Sequence, residues 1–109
     1  MSKKGTPRWK AMRTDESRLV EQVLRKEFPK TDAYRYNSAS IRVRVIDPRF
    51  EGLEFDERDA MVEPLLKQLP EEIQADIMNL LTLAPSEKKA FSRKSLVNLE
   101  FENPSPSIL

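Results

Sequence analysis

Residues 38–52 read Ser38-Ala39-Ser40-Ile41-Arg42-Val43-Arg44-Val45-Ile46-Asp47-Pro48-Arg49-Phe50-Glu51-Gly52. Ile41, Val43 and Val45 alternate with Arg42 and Arg44, the two-residue period of a strand with one apolar and one polar face. Asn37-Ser38-Ala39-Ser40 has turn chemistry, and Tyr34-Arg35-Tyr36 before it is a short strand-like run. Two runs joined by a short polar turn predict an antiparallel hairpin. Asp47-Pro48 ends the second strand, and Phe50 and Gly52 fall in its exit loop.

Upstream, Thr14 can cap a helix whose first turn holds Asp15 and Glu16. Leu19, Val20, Val23, Leu24 and Phe28 recur at helical spacing until Pro29 stops the pattern. Downstream, Asp56 is the expected N-cap of a second helix, with Phe55 and Ala60 as a hydrophobic staple. Ala60, Met61, Leu65, Leu66 and Leu69 form its apolar face, and Pro64 predicts a kink. Pro70 suits the first position of a short third helix carrying Ile73 and Ile77. Met78 to Leu83 is an apolar run of strand length, and residues 86–91 can make a helical turn or two. Val97, Leu99 and Phe101 alternate with polar residues, which predicts a further C-terminal strand over residues 96–102. The resulting class is α+β: a small three-stranded mixed sheet with helices on one face, in the order α-β-β-α-α-β-α. A right-handed crossover lays the third strand parallel to a hairpin strand. Residues 1–13 read as a flexible basic arm, residues 14–102 as one domain, and residues 103–109, rich in Pro and Ser, as a disordered tail.

Composition removes several functions. With 109 residues there is room for one modest core. The chain has no cysteine and no histidine, so disulfides, thiolate chemistry, imidazole-ligated zinc and Ser-His-Asp catalysis are excluded within it. No apolar run approaches the roughly 20 residues of a membrane span, and the basic N-terminus lacks a signal peptide's apolar stretch. The expected compartment is the cytoplasm, with no membrane partner. Hydrophobic residues at 39%, charged residues at 34% and a net charge of +1 fit a folded domain without a global electrostatic address.

Ser38 to Val45, the exit loop Asp47-Pro48-Arg49-Phe50-Glu51-Gly52 and the segment Glu57-Arg58-Asp59-Ala60-Met61-Val62 resemble, in order and spacing, three segments of the BolA family. Its fold is similar to a class II KH domain. The resemblance spans roughly residues 17–91 and makes Phe50, Gly52, Arg58, Asp59 and Val62 the family-signature positions. It implies a non-enzymatic regulatory or adaptor domain whose partner is a protein, a monothiol glutaredoxin in this family. The family's helix histidine, associated with shared iron–sulfur ligation, aligns with Asp59, and a carboxylate is a poor ligand for so soft a cluster. No cofactor is expected. The Gly-x-x-Gly loop with which KH domains grip nucleic acid has no counterpart, because the only glycines are Gly5 and Gly52.

The residues themselves offer one further surface. If helices cover only the Ile41 face, Arg42 and Arg44 lie on an open sheet face, with Arg35, Tyr34 and Tyr36 as neighbours. Lys3, Lys4, Arg8, Trp9 and Lys10 of the basic arm extend it. Such a platform suits single-stranded nucleic acid or a protein partner, and also reads as a wet face with cross-strand ion pairs. The acids Glu51, Glu54, Asp56, Glu57, Asp59 and Glu63 read as a solvated helix start; their spacing is not that of a calcium loop.

Overall fold

The computed structural model describes residues 7–89 and 92–108. Helix α1 (Asp15–Leu24) opens on the Thr14/Ser17 capping box, in which the Ser17 N–H donates to Thr14 Oγ1 and the Thr14 N–H to Ser17 Oγ. Strands β1 (Thr31–Asn37) and β2 (Ser40–Ile46) form the antiparallel hairpin, with Ala33 opposite Val43 and Tyr34 opposite Arg42. Helices α2 (Phe55–Leu66) and α3 (Glu71–Asp76) lead to β3 (Ile77–Leu83), which pairs parallel to β2 in a sheet of order β1-β2-β3. The short α4 (Pro85–Lys89) and the longer α5 (Arg93–Glu102) follow. This is the expected α+β architecture with its mixed three-stranded sheet.

The main core lies between the sheet and α1 and α2. Val20, Leu24, Phe28, Ile41, Val43, Val45, Phe50 and Val62 are fully buried there, so the Ile41 face meets the helices as its alternation requires. Burying each of these side chains contributes about 1.5–3 kcal/mol. Two details of α2 differ from expectation. Its N-cap is Glu54, whose N–H donates to Glu57 Oε1 at 2.8 Å, so Asp56 sits inside the first turn. Phe55 is left about half exposed rather than stapled onto Ala60, and Arg58, Val62 and Leu65 make the buried face.

The larger differences lie at the two ends. Residues 96–102 are helix, not strand. Ser92 caps α5 by accepting from the Ser95 N–H, and the helix buries Ser95, Asn98 and Phe101 at three-residue spacing. The alternation of Val97, Leu99 and Phe101 was therefore misleading: only Phe101 of the three is buried. Arg8–Met12 form a 3₁₀ turn with Trp9 just 2% exposed, so this stretch of the basic arm packs onto the domain. Residues 103–108, expected to be a disordered tail, lie against the hairpin, with Pro104 buried and the Tyr36 hydroxyl donating to the Ser105 carbonyl at 2.6 Å. The remainder of the arm, with Lys3 and Lys4, is outside the described residues.

Candidate functional site

Residues opposite each other in an antiparallel pair share a face. The register therefore puts Tyr34 and Arg42, and Asp32 and Arg44, on the side of the sheet away from α1 and α2. That side is closed. Arg44 donates from Nη1 to Asn98 Oδ1 (2.8 Å) and Glu102 Oε2 (2.7 Å) on α5, and from Nη2 to Asp32 Oδ2 (2.7 Å). Arg42 donates to Glu100 Oε2 and to the Tyr34 hydroxyl, both at 3.1 Å, and its guanidinium lies 3.7 Å from the centre of the Tyr36 ring. Trp9, Tyr34 and Phe101 pack as a second small core, with ring centroids 4.8–6.2 Å apart. Burial pushes the Tyr34 phenol above its ordinary value, against the opposing pull of Arg42.

The open arginine platform is thus corrected. Arg44 is 4% exposed and serves as the polar centre of an internal layer, while Trp9 and Tyr34 are core. Arg35 belongs to the other face: it pairs with Ile41 and binds Glu16 and Asp76 at 2.8 Å. Arg8 and Lys10 remain exposed. The signal for the closure was present as Ser92-x-x-Ser95 followed by Asn98, Glu100 and Glu102. It could be read only by knowing that two strand arginines needed carboxylates.

Three of the five signature positions, Phe50, Gly52 and Arg58, meet at the exit loop. Phe50 is buried and stacks on Phe28 at 5.8 Å. Gly52 adopts φ +79°, a conformation costly for any residue with a Cβ. Arg58, 1% exposed, donates to the carbonyls of Leu53 and Thr82 and in bidentate fashion to Glu87 at 2.8 and 2.9 Å. That hydrogen bond, helped by the Ala84 N–H, holds the Glu87 carboxyl down at about 2. Arg58 therefore ties the exit loop, β3 and α4 together. Val62 is core.

Asp59 lines an apolar cavity of about 230 Å³ together with Phe55 of α2, Leu80 and Leu81 of β3, and Arg93, Lys94 and Val97 of α5. A neighbouring cavity of about 150 Å³ continues it along Asn79, Val97, Glu100 and Phe101. Burial raises the Asp59 carboxyl above its ordinary value, with Glu63 and Asp56 adding repulsion, and its Oδ1 is buried without a hydrogen-bond partner. Among the described residues no three carboxylates come together as a metal site. A single carboxylate in apolar surroundings does not fit a [2Fe–2S] cluster. Phe55 and Val97, which line these cavities, and Met78, Leu96 and Leu99 elsewhere on β3 and α5 are exposed, each 45–64%. Neither α5 nor any other helix among the described residues is long and apolar enough to cross a membrane.

The layer of α1 and α2 on one sheet face, the β1-β2-β3 mixed sheet and the Phe-x-Gly exit loop give the chain a BolA-like fold, to which α5 on the opposite face is added. Among solved structures it is similar to BolA1 from Arabidopsis thaliana, with a TM-score of 0.51 and 20% identity over 68% of this chain and 96% of that one. No protein-family model and no curated protein matches the sequence. The similar structure is thus covered almost whole, and about a third of this chain lies outside the match.

Proposed function

We propose that this chain is a non-enzymatic adaptor domain that acts through a protein partner. The observation that carries the reading is the apolar surface of α2, β3 and α5: five large hydrophobic side chains stand exposed there, and two of them, Phe55 and Val97, line apolar cavities. Monomeric domains rarely leave so many large apolar side chains exposed without a use. The sequence supplies neither imidazole nor thiol for catalysis, and Arg42 and Arg44 are engaged by α5, which withdraws support from a nucleic-acid platform. A monothiol glutaredoxin, the partner that the family resemblance implies, is the first candidate.

The test is immobilised full chain challenged with purified glutaredoxin, with cell extract and with single-stranded oligonucleotides. One protein retained at 1:1 stoichiometry, and released by a Leu96→Ser, Leu99→Ser double variant that still folds, is the expected result. Retention of oligonucleotide that falls steeply with salt, with no protein retained, would overturn the reading in favour of nucleic acid.

A further inference from the structure

The two edges of the sheet are treated differently. Along a strand, successive residues turn their backbone N–H and C=O to opposite edges. On β1 two of the outward groups are capped: the Ala33 N–H donates to Glu21 Oε2 at 2.9 Å, and the Thr31 carbonyl accepts from Arg25 Nε at 2.9 Å. On β3 the Leu83 carbonyl faces inward, accepting from the Asp47 N–H that follows β2, so Leu81 also faces inward and Thr82 and Leu80 face outward. The Thr82 carbonyl is capped by Arg58 at 3.0 Å. Leu80 makes no hydrogen bond outside the ladder among the described residues, and neither Lys nor Pro guards β3. An uncapped edge is a template for another strand.

This open stretch is also walled. Leu80 pairs with Val43 on the α2 side of the sheet, and Leu81 with Arg44 on the α5 side. The 230 Å³ cavity spans both, from Phe55 and Asp59 to Arg93, Lys94 and Val97. One wall carries an unpartnered buried acceptor, Asp59 Oδ1, and the other an exposed arginine, Arg93, with no ion pair among the described residues. We propose that the β3 edge at Leu80 is a strand-addition slot that binds an extended peptide segment of a protein partner between α2 and α5. The occupant has alternating apolar side chains, which fill the two adjoining cavities along β3, and a carboxylate for Arg93. A second copy of this chain fits less well, because its own β3 is bounded by the same two helices.

The proposal rests on the partner-protein reading and is tested apart from it. The full chain is used to select from a random dodecapeptide library displayed on phage. The best peptide is then synthesised with and without N-methylation at alternate amides. Expected are sequences with alternating apolar residues and at least one acid, protection of the Leu80 amide from hydrogen exchange on binding, and a loss of at least about tenfold in affinity on N-methylation. Leu80→Pro removes the outward N–H where an edge strand tolerates proline. Arg93→Glu suits the N-terminal turn of α5, so the fold survives should the proline variant fail. Each should weaken binding at least about fivefold.

No enriched peptide, or a peptide indifferent to both variants and to N-methylation, overturns the slot. So does dimerisation in sedimentation velocity that Leu80→Pro abolishes, since a second copy would then be the occupant. A stoichiometric partner that still binds both variants would retire the slot and leave the adaptor reading standing.

Discussion

The ion pair between Arg58 and Glu87 should give the protein a distinct acid signature. Glu87 is held at about 2 against an ordinary 4.5, chiefly by the Arg58 hydrogen bond. A depressed carboxylate stabilises the fold above its unfolded value, and the contribution is lost as pH falls through the folded one. The window is therefore from about pH 4.5 down to about 2. At about 1.4 kcal/mol per pH unit, the drop sets a ceiling of about 3 kcal/mol, which the 15% side-chain exposure of Glu87 reduces to about 2 kcal/mol. Glu87→Gln removes the charge and strands the Arg58 guanidinium in the interior, so the loss at pH 7 should be about 2–3 kcal/mol. With a urea dependence near 1.5 kcal/mol/M, the midpoint should fall by about 1–2 M. Urea titrations followed by circular dichroism from pH 7 to pH 2 give the comparison. Asp47 and Glu100, whose carboxyls are also lowered, act equally in both proteins and cancel. The gap between wild type and variant should close across the window. Curves that stay parallel from pH 5 to pH 2 would refute the assignment of this carboxylate as a main stabilising acid.

Phe101→Ala should cost about 3–5 kcal/mol and shift the emission of the single tryptophan to the red, because Phe101 covers Trp9; an unchanged spectrum would mean that α5 does not close the sheet in solution. Gly52→Ala should cost about 1 kcal/mol by thermal denaturation, all of it conformational, since no atom beyond the neighbouring residues in the chain lies within 4 Å of the added Cβ. Adding this protein to a monothiol glutaredoxin should leave the visible spectrum of a [2Fe–2S] cluster unchanged; a change that reverts in Asp59→Ala would show that this carboxylate does ligate the cluster. Arg44→Ala should destabilise by about 3 kcal/mol, far beyond a surface substitution, as it leaves Asp32, Asn98 and Glu102 without their shared donor.

The hairpin, the apolar face of Ile41, Val43 and Val45, the Thr14 cap and the parallel return of β3 were legible because each follows from local period, turn chemistry or chain handedness. The exclusion of histidine and cysteine chemistry is likewise complete in the amino-acid sequence. Tertiary structure decided the other face. Val97, Leu99 and Phe101 have the spacing of a strand, and over seven residues period alone does not separate strand from helix. The helix prevails because Ser92 and Ser95 cap it and because Asn98, Glu100 and Glu102 satisfy two arginines some 55 residues earlier in the chain, an energetic demand no local window contains. Trp9 was grouped with the basic arm by its neighbours and is core by its contacts with Tyr34 and Phe101. The slot at Leu80 lay beyond the sequence for the same reason. An edge is open or closed according to which distant side chains reach its backbone: Glu21 and Arg25 reach β1 and Arg58 reaches Thr82, while none reaches Leu80 among the described residues.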